Sequence, residues 1–85
     1  MIMEMSERQM IQEILNTVDV IYNFENVDED TSEYTILINR QNGDVRDLNV
    51  INDETKKYFK EADFDYKEEV EPVEVDADIR VQIKR

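Results

Sequence analysis

The sequence predicts an α+β fold: a small antiparallel sheet of about four strands with two helices packed on one face, in the order α-β-β-β-α-β. Three observations predict it. Met10, Ile11, Ile14, Leu15 and Val18 recur at helical spacing, and Tyr34, Ile36 and Ile38 alternate with polar residues at a period of two. The closing stretch EPVEVDADIRVQIKR sets Val73, Val75, Ala77, Ile79, Val81 and Ile83 on one side of a ribbon, with charged and polar residues on the other. Two helices over one face of a sheet is the simplest packing that buries every one of these stripes.

The first helix begins at SERQ, which has the form of a capping box: a Ser hydroxyl and a Gln three residues later satisfy free N–H groups at a helix start. Met5 and Met10 occupy the two staple positions, and the helix runs over residues 7–17. From Asp19 the period falls to two, with Val20, Tyr22 and Phe24 in phase, predicting a strand over 19–25. ENVDEDTSE carries no apolar period and reads as an exposed loop. Tyr34, Ile36 and Ile38 mark the second strand. Asn42-Gly43 then supplies the residue pair that best tolerates a tight hairpin turn, which predicts a third strand over 44–50. Val45 is out of step with Leu48 and Val50, so a bulge near Arg46-Asp47 is expected.

Asn52 or Asp53 can cap a second, short helix over residues 53–62, with Thr55, Tyr58, Phe59 and Ala62 on one face. DFDYKEEVEP offers only Phe64, Tyr66 and Val70 as anchors and reads as a linker ordered by contact. Pro72 can open an edge strand but not sit inside one, which sets the last strand at 73–84. The 85 residues form a single domain, 1–85, with 1–5 expected to fray. No repeat stands out.

Composition narrows the function. The chain carries 22 acids against 10 bases, a formal charge of -12, so direct binding to nucleic acid or an anionic lipid surface is disfavoured and a basic partner is favoured. With no cysteine and no histidine, thiolate chemistry, disulfides and the usual proton shuttle near neutral pH are absent. Gly43 is the one glycine and the turn needs it, so no phosphate-cradling loop exists. Asp28, Asp30 and Ser32 start the spacing of a calcium loop, but Glu33 stands where glycine is required and Asn39 where a bidentate Glu is required. No enzyme, metal or cofactor is expected. The start lacks a basic n-region and an apolar run, and no stretch is long enough to span a membrane, so a cytoplasmic protein is expected.

The acids are unevenly placed. Glu25, Asp28, Glu29, Asp30 and Glu33 form one cluster; Glu61, Asp63, Asp65, Glu68, Glu69, Glu71, Glu74, Asp76 and Asp78 form a second, broken only by Lys67. Like charges about 4 Å apart repel by roughly 1 kcal/mol even in water, so a thin domain carries these clusters at a cost. On a strand, Glu74, Asp76 and Asp78 would stand roughly 6.6–6.8 Å apart, a spacing comparable with that of phosphates along a nucleic-acid strand. An acidic ribbon of that kind could occupy a basic groove.

The short N-terminal helix, the meander with its Asn-Gly turn (ILINRQNGDV), the following helix (NDETKKYFKEA) and the acid-dense last third together resemble the layout of small phage-encoded inhibitors. Among these the likeness is to anti-CRISPR proteins of the DNA-mimic type. The resemblance implies a non-catalytic protein that inhibits a nuclease or another nucleic-acid-binding protein by occupying its basic site. Asp28, Glu29, Asp30, Glu68, Glu69, Glu71, Glu74, Asp76 and Asp78 are the candidate partner-binding residues, chosen from the local acid rather than from the resemblance. The alternative is a protein-interaction or assembly module whose charge only confers solubility. Its contacts, including those of a homodimer, would come from Ile21 and Leu37 with Phe64 or Tyr66 nearby, or from the edge of the last strand.

Overall fold

The structure, a computed structural model, describes residues 6–85; the expected fraying of 1–5 and the staple position of Met5 lie outside the described residues. The element order is α1 (Glu7–Val18), β1 (Ile21–Asp28), β2 (Glu33–Asn39), α2 (Leu48–Glu61), β3 (Asp65–Val70) and β4 (Ile79–Lys84). Two helices and a four-stranded antiparallel sheet make an α+β fold, and the strands lie in the order β1-β2-β4-β3. One core holds Ile11, Leu15 and Val18 of α1, Ile51 and Phe59 of α2, and the inward residues of β2, β3 and β4, so both helices cover the same sheet face.

The chain is two consecutive helix-hairpin units, α1-β1-β2 and α2-β3-β4, joined where β2 pairs with β4. The expected order α-β-β-β-α-β is thus corrected to α-β-β-α-β-β, because the third strand follows the second helix instead of preceding it.

α1 starts as its sequence predicts. Gln9 N–H donates to Ser6 Oγ at 3.2 Å and Ser6 N–H to Gln9 Oε1 at 3.0 Å, which closes the capping box. The helix ends at Asp19, whose left-handed backbone (φ 64°) lets its N–H reach the Leu15 and Asn16 carbonyls. β1 begins at Ile21 and extends to Asp28, three residues past the expected end. A bulge at Glu25 shifts the register between Phe24 and Asn26, so Val27 comes back into phase with Phe24 on the core side.

The predicted strand over 44–50 does not form. Asp47 instead caps α2, its carboxylate accepting from Asn49 N–H at 3.0 Å, and Leu48, Ile51, Thr55 and Phe59 follow at helical spacing with their side chains buried. Val45, the residue out of step, belongs to neither pattern and is fully in solvent. The tight turn at Asn42-Gly43 does exist: Asp44 N–H donates to Gln41 O at 3.0 Å and Gly43 sits at φ 87°. It joins β2 to a helix rather than to a strand.

The expected linker over 63–72 is largely β3. Tyr66 and Val70 point to the helices with Glu68 between them, and at this sheet edge a carboxylate on the helix side meets polar groups of α2. The last strand is the reverse case. Only Ile79–Lys84 pairs, while 71–78 is a looped segment; Val73 is on the apolar side of the alternation yet stands in solvent. β4 also lies between β2 and β3, so addition of a strand to the edge of the last strand is ruled out; the open edges belong to β1 and β3.

α2 and β3 are tied by a chain of polar contacts. Tyr66 OH donates to Asn52 Oδ1 at 2.8 Å, Asn52 Nδ2 donates to Glu68 Oε1 at 3.2 Å, and Lys56 Nζ lies 3.6 Å from the same carboxylate. Burial, with Glu68 nearby, pushes the Tyr66 phenol well above its ordinary pKa, so it stays a donor. Asn52→Ala strips Tyr66 of its acceptor in a buried place. The expected loss is about 1–3 kcal/mol in urea unfolding, and in an Asn52→Ala/Tyr66→Phe cycle most of it is recovered.

Candidate acidic interaction surface

The register sorts the sheet into two ends. One, the turn end, holds the β1–β2 turn, the end of β4 and the start of β3; the other, the loop end, holds the start of β1, residues 40–47 and residues 71–78. The candidate residues are divided between them. Asp28, Glu29 and Asp30 stand at the turn end, Glu71, Glu74, Asp76 and Asp78 at the loop end, and Glu68 and Glu69 between them on edge strand β3. The structure therefore does not bring the nine carboxylates into one surface.

Three of the nine are occupied inside the molecule. Asp28 Oδ1 accepts from Thr31 N–H at 3.2 Å and shapes the hairpin turn, while Glu68 serves the α2–β3 network. Asp78 accepts from Arg40 N–H at 2.8 Å, and its own N–H donates to Ile38 O and Asn39 Oδ1, both at 3.0 Å. The even, strand-set spacing expected of Glu74, Asp76 and Asp78 is corrected by the same facts, because these residues sit in bends. Among the described residues, no ion pair or hydrogen bond engages the side chains of Glu29, Asp30, Glu69, Glu71, Glu74 or Asp76.

The 71–78 loop is nevertheless built. Glu71 N–H donates to Asp78 O at 2.8 Å, extending the β3–β4 ladder by one rung, and Ala77 N–H reaches Val75 O at 3.1 Å. Pro72 is buried, so the loop is anchored by a side chain without an N–H to satisfy. Glu71 adopts φ 56°, a left-handed conformation that turns the chain out of the sheet.

Next to it lies the 40–47 segment, held by Arg46. This guanidinium makes a bidentate contact with Asp44 (2.7–3.1 Å), donates to Asp19 O at 3.1 Å and lies 3.6 Å from Glu54. Hydrogen bonds from the Arg46 side chain, then from its backbone N–H, pull the Asp44 carboxyl down to about 2. Because the folded value lies below the ordinary 3.8, this contribution to stability is complete above pH 4 or so and fades as the pH falls toward 2. Asp44→Asn should remove that acid-labile share, so the variant's stability changes less than the parent's between pH 4 and 2 in circular dichroism.

Charge at the loop end is lopsided. Among the described residues, Asp19, Asp44, Asp47, Glu71, Glu74, Asp76 and Asp78 face Arg40 and Arg46, which pair with Asp78 and Asp44 and leave five carboxylates without a base. At the turn end Arg8 lines the same depression as Asp28, Glu29 and Asp30, Lys84 lies 3.3 Å from Glu33 and Arg85 3.7 Å from Glu7, so that acid is partly answered. The open face of the sheet is close to balanced: Glu25, Glu33, Asp65 and Glu69 stand with Lys67, Arg80 and Lys84, and Arg80 Nη2 is 2.8 Å from Glu25.

Ile21 and Leu37 also lie on this open face, on paired strands, as the alternative reading expects. Phe64 and Tyr66 do not join them. Both are buried in the core on the opposite side, where Phe59 packs against them. Sequence reasoning also passed over the 40–47 acids, whose only signal was Asp44, Asp47 and Arg46 beside the one glycine. No helix among the described residues is long and apolar enough to cross a membrane. Comparison with protein-family models, curated proteins and solved structures gives no match.

Proposed function

We propose that this protein is a non-catalytic, cytoplasmic acidic binding protein that inhibits a nucleic-acid-binding protein or nuclease by occupying its basic DNA- or RNA-binding site, in the manner of a DNA mimic of the anti-CRISPR type. One observation carries the reading: of seven carboxylates at the loop end, Asp44 and Asp78 pair with the two arginines there and five have no base, and Glu71, Glu74 and Asp76 project from a loop tied at both ends. Fixed anions in a set arrangement attract a cationic groove over a Debye length and then match it at contact.

The test is capture on the immobilised protein from a low-salt cell extract, with elution by a salt gradient and by duplex DNA. Nucleases, polymerases or repressors should leave early in the gradient and be displaced by DNA. A bound fraction without nucleic-acid-binding proteins rejects the reading. A second reading, a protein-interaction module docking through the balanced sheet face around Ile21 and Leu37, is favoured by the small net charge of that face. Its complex should survive high salt, since apolar contact is not screened.

A further inference from the structure

We propose that the loop end is a docking surface for a cationic protein segment that also carries aliphatic side chains, with Val45 and Val73 as its apolar anchors. Among the described residues the exposed large aliphatics are Val73 (95% exposed), Val45 (93%), Val50 (53%) and Ile21 (50%). The topology sets all four at the loop end: Ile21 opens β1, Val45 follows β2, Val50 lies in the first turn of α2, and Val73 lies in the β3–β4 loop. Among the described residues the turn end has none. Exposed aliphatics scattered singly are ordinary, but their gathering at one end is what an interaction surface requires.

A mainly polar groove of about 450 Å³ runs between residues 45–49 and the end of β3, lined by Arg40, Asp47, Asn49 and Glu71, with Val45, Leu48 and Val70 as its apolar members. Arg40, on its wall, donates to Arg46 O at 2.9 Å and lies 3.9 Å from Asp78, so its charge is partnered.

Charge decides the occupant. A second copy would bring an excess of five carboxylates against the same excess, whereas a cationic segment is attracted. Lysine and arginine lay their aliphatic stems on apolar surface while their charged heads reach the acid around it, and neighbouring leucine or isoleucine side chains would cover the valines. This rests on the proposed function for the sign of the partner, and adds that part of the affinity is apolar and placed at one end of the molecule.

The test uses the ¹⁵N-labelled full chain and two synthetic peptides of equal length and charge, one alternating lysine with leucine, the other lysine with glycine. The lysine-leucine peptide should shift amides over 40–50 and 71–78 and bind roughly tenfold more tightly at about 0.3 M salt, the order expected from partly burying two valines. Val45→Ser with Val73→Ser should erase that difference without changing the rest of the spectrum, since both side chains are in solvent. Equal binding of the two peptides, lost together in salt, overturns the apolar anchors while leaving the charge-driven reading in place. Failure of both peptides at low salt overturns both readings. Shifts centred on 28–33 overturn the placement, and concentration-dependent shifts at Val45 and Val73 without peptide assign the surface to a second copy instead.

Discussion

Phe59→Ala should be among the most destabilising single changes in this protein. The Phe59 ring is completely buried, meets Phe64 edge-on at 5.6 Å and stacks on Tyr66 at 5.9 Å, so it joins α2 to the start of β3. Removing such a ring costs about 3–5 kcal/mol through lost transfer energy and the cavity left behind. A domain of this size has roughly 4–13 kcal/mol in total. Urea unfolding followed by circular dichroism should show the midpoint falling by roughly a quarter or more, with Phe59→Leu falling much less. A loss below about 1 kcal/mol would mean that the α2–β3 seam is not the centre of the core.

The second large effect is electrostatic. Replacing Glu71, Glu74 and Asp76 by their amides removes three carboxylates that have no partner among the described residues. Exposed charge pairs contribute about 0.2–1 kcal/mol each, so a complex that uses all three should weaken on the order of tenfold at low salt. The same triple change at the turn end, Glu29→Gln, Asp30→Asn and Glu33→Gln, should matter less, because Arg8 and Lys84 already stand among those acids. Both variants would be compared by DNA displacement from a partner recovered on the immobilised protein, and equal losses would show that no end is preferred. Without a partner, the loop-end variant should melt at a higher temperature than the parent in low salt. That gain should vanish in high salt, since it comes from relieving repulsion.

Much of this was written plainly in the residues. The capping box at Ser6, the alternation of Tyr34, Ile36 and Ile38, and the final run from Ile79 to Ile83 each have one dominant period and form as that period dictates. The misplaced elements lie where two periods coincide. Leu48 and Val50 alternate as a strand would, yet Leu48, Ile51, Thr55 and Phe59 also follow a helix, and the Asp47 cap decides between them. In β3 the position between Tyr66 and Val70 holds Glu68, an apparent fault in the pattern that becomes sense only once Asn52 and Lys56 of α2 lie opposite.

The reverse error, at 73–78, has the same source. Val73, Val75 and Ala77 keep the alternation, but Asp78 makes its hydrogen bonds to Ile38, Asn39 and Arg40, which turns the chain before pairing can continue. The candidate site was legible as acid and not as place. Composition reveals how many carboxylates there are, whereas their division between opposite ends follows from the strand register, which alternation alone does not specify.

The insertion of β4 between β2 and β3 also governs how the molecule assembles. Its rungs with β2 join residues 41 to 51 positions apart, from Ile38 with Ile79 to Glu33 with Lys84, so the hairpins can form early but cannot fuse until a long intervening stretch has been closed. Until then β2 exposes an apolar flank. Folding should accordingly be slower than the small size and short hairpins would suggest, and slowest in variants that loosen the Ile36–Val81 rung.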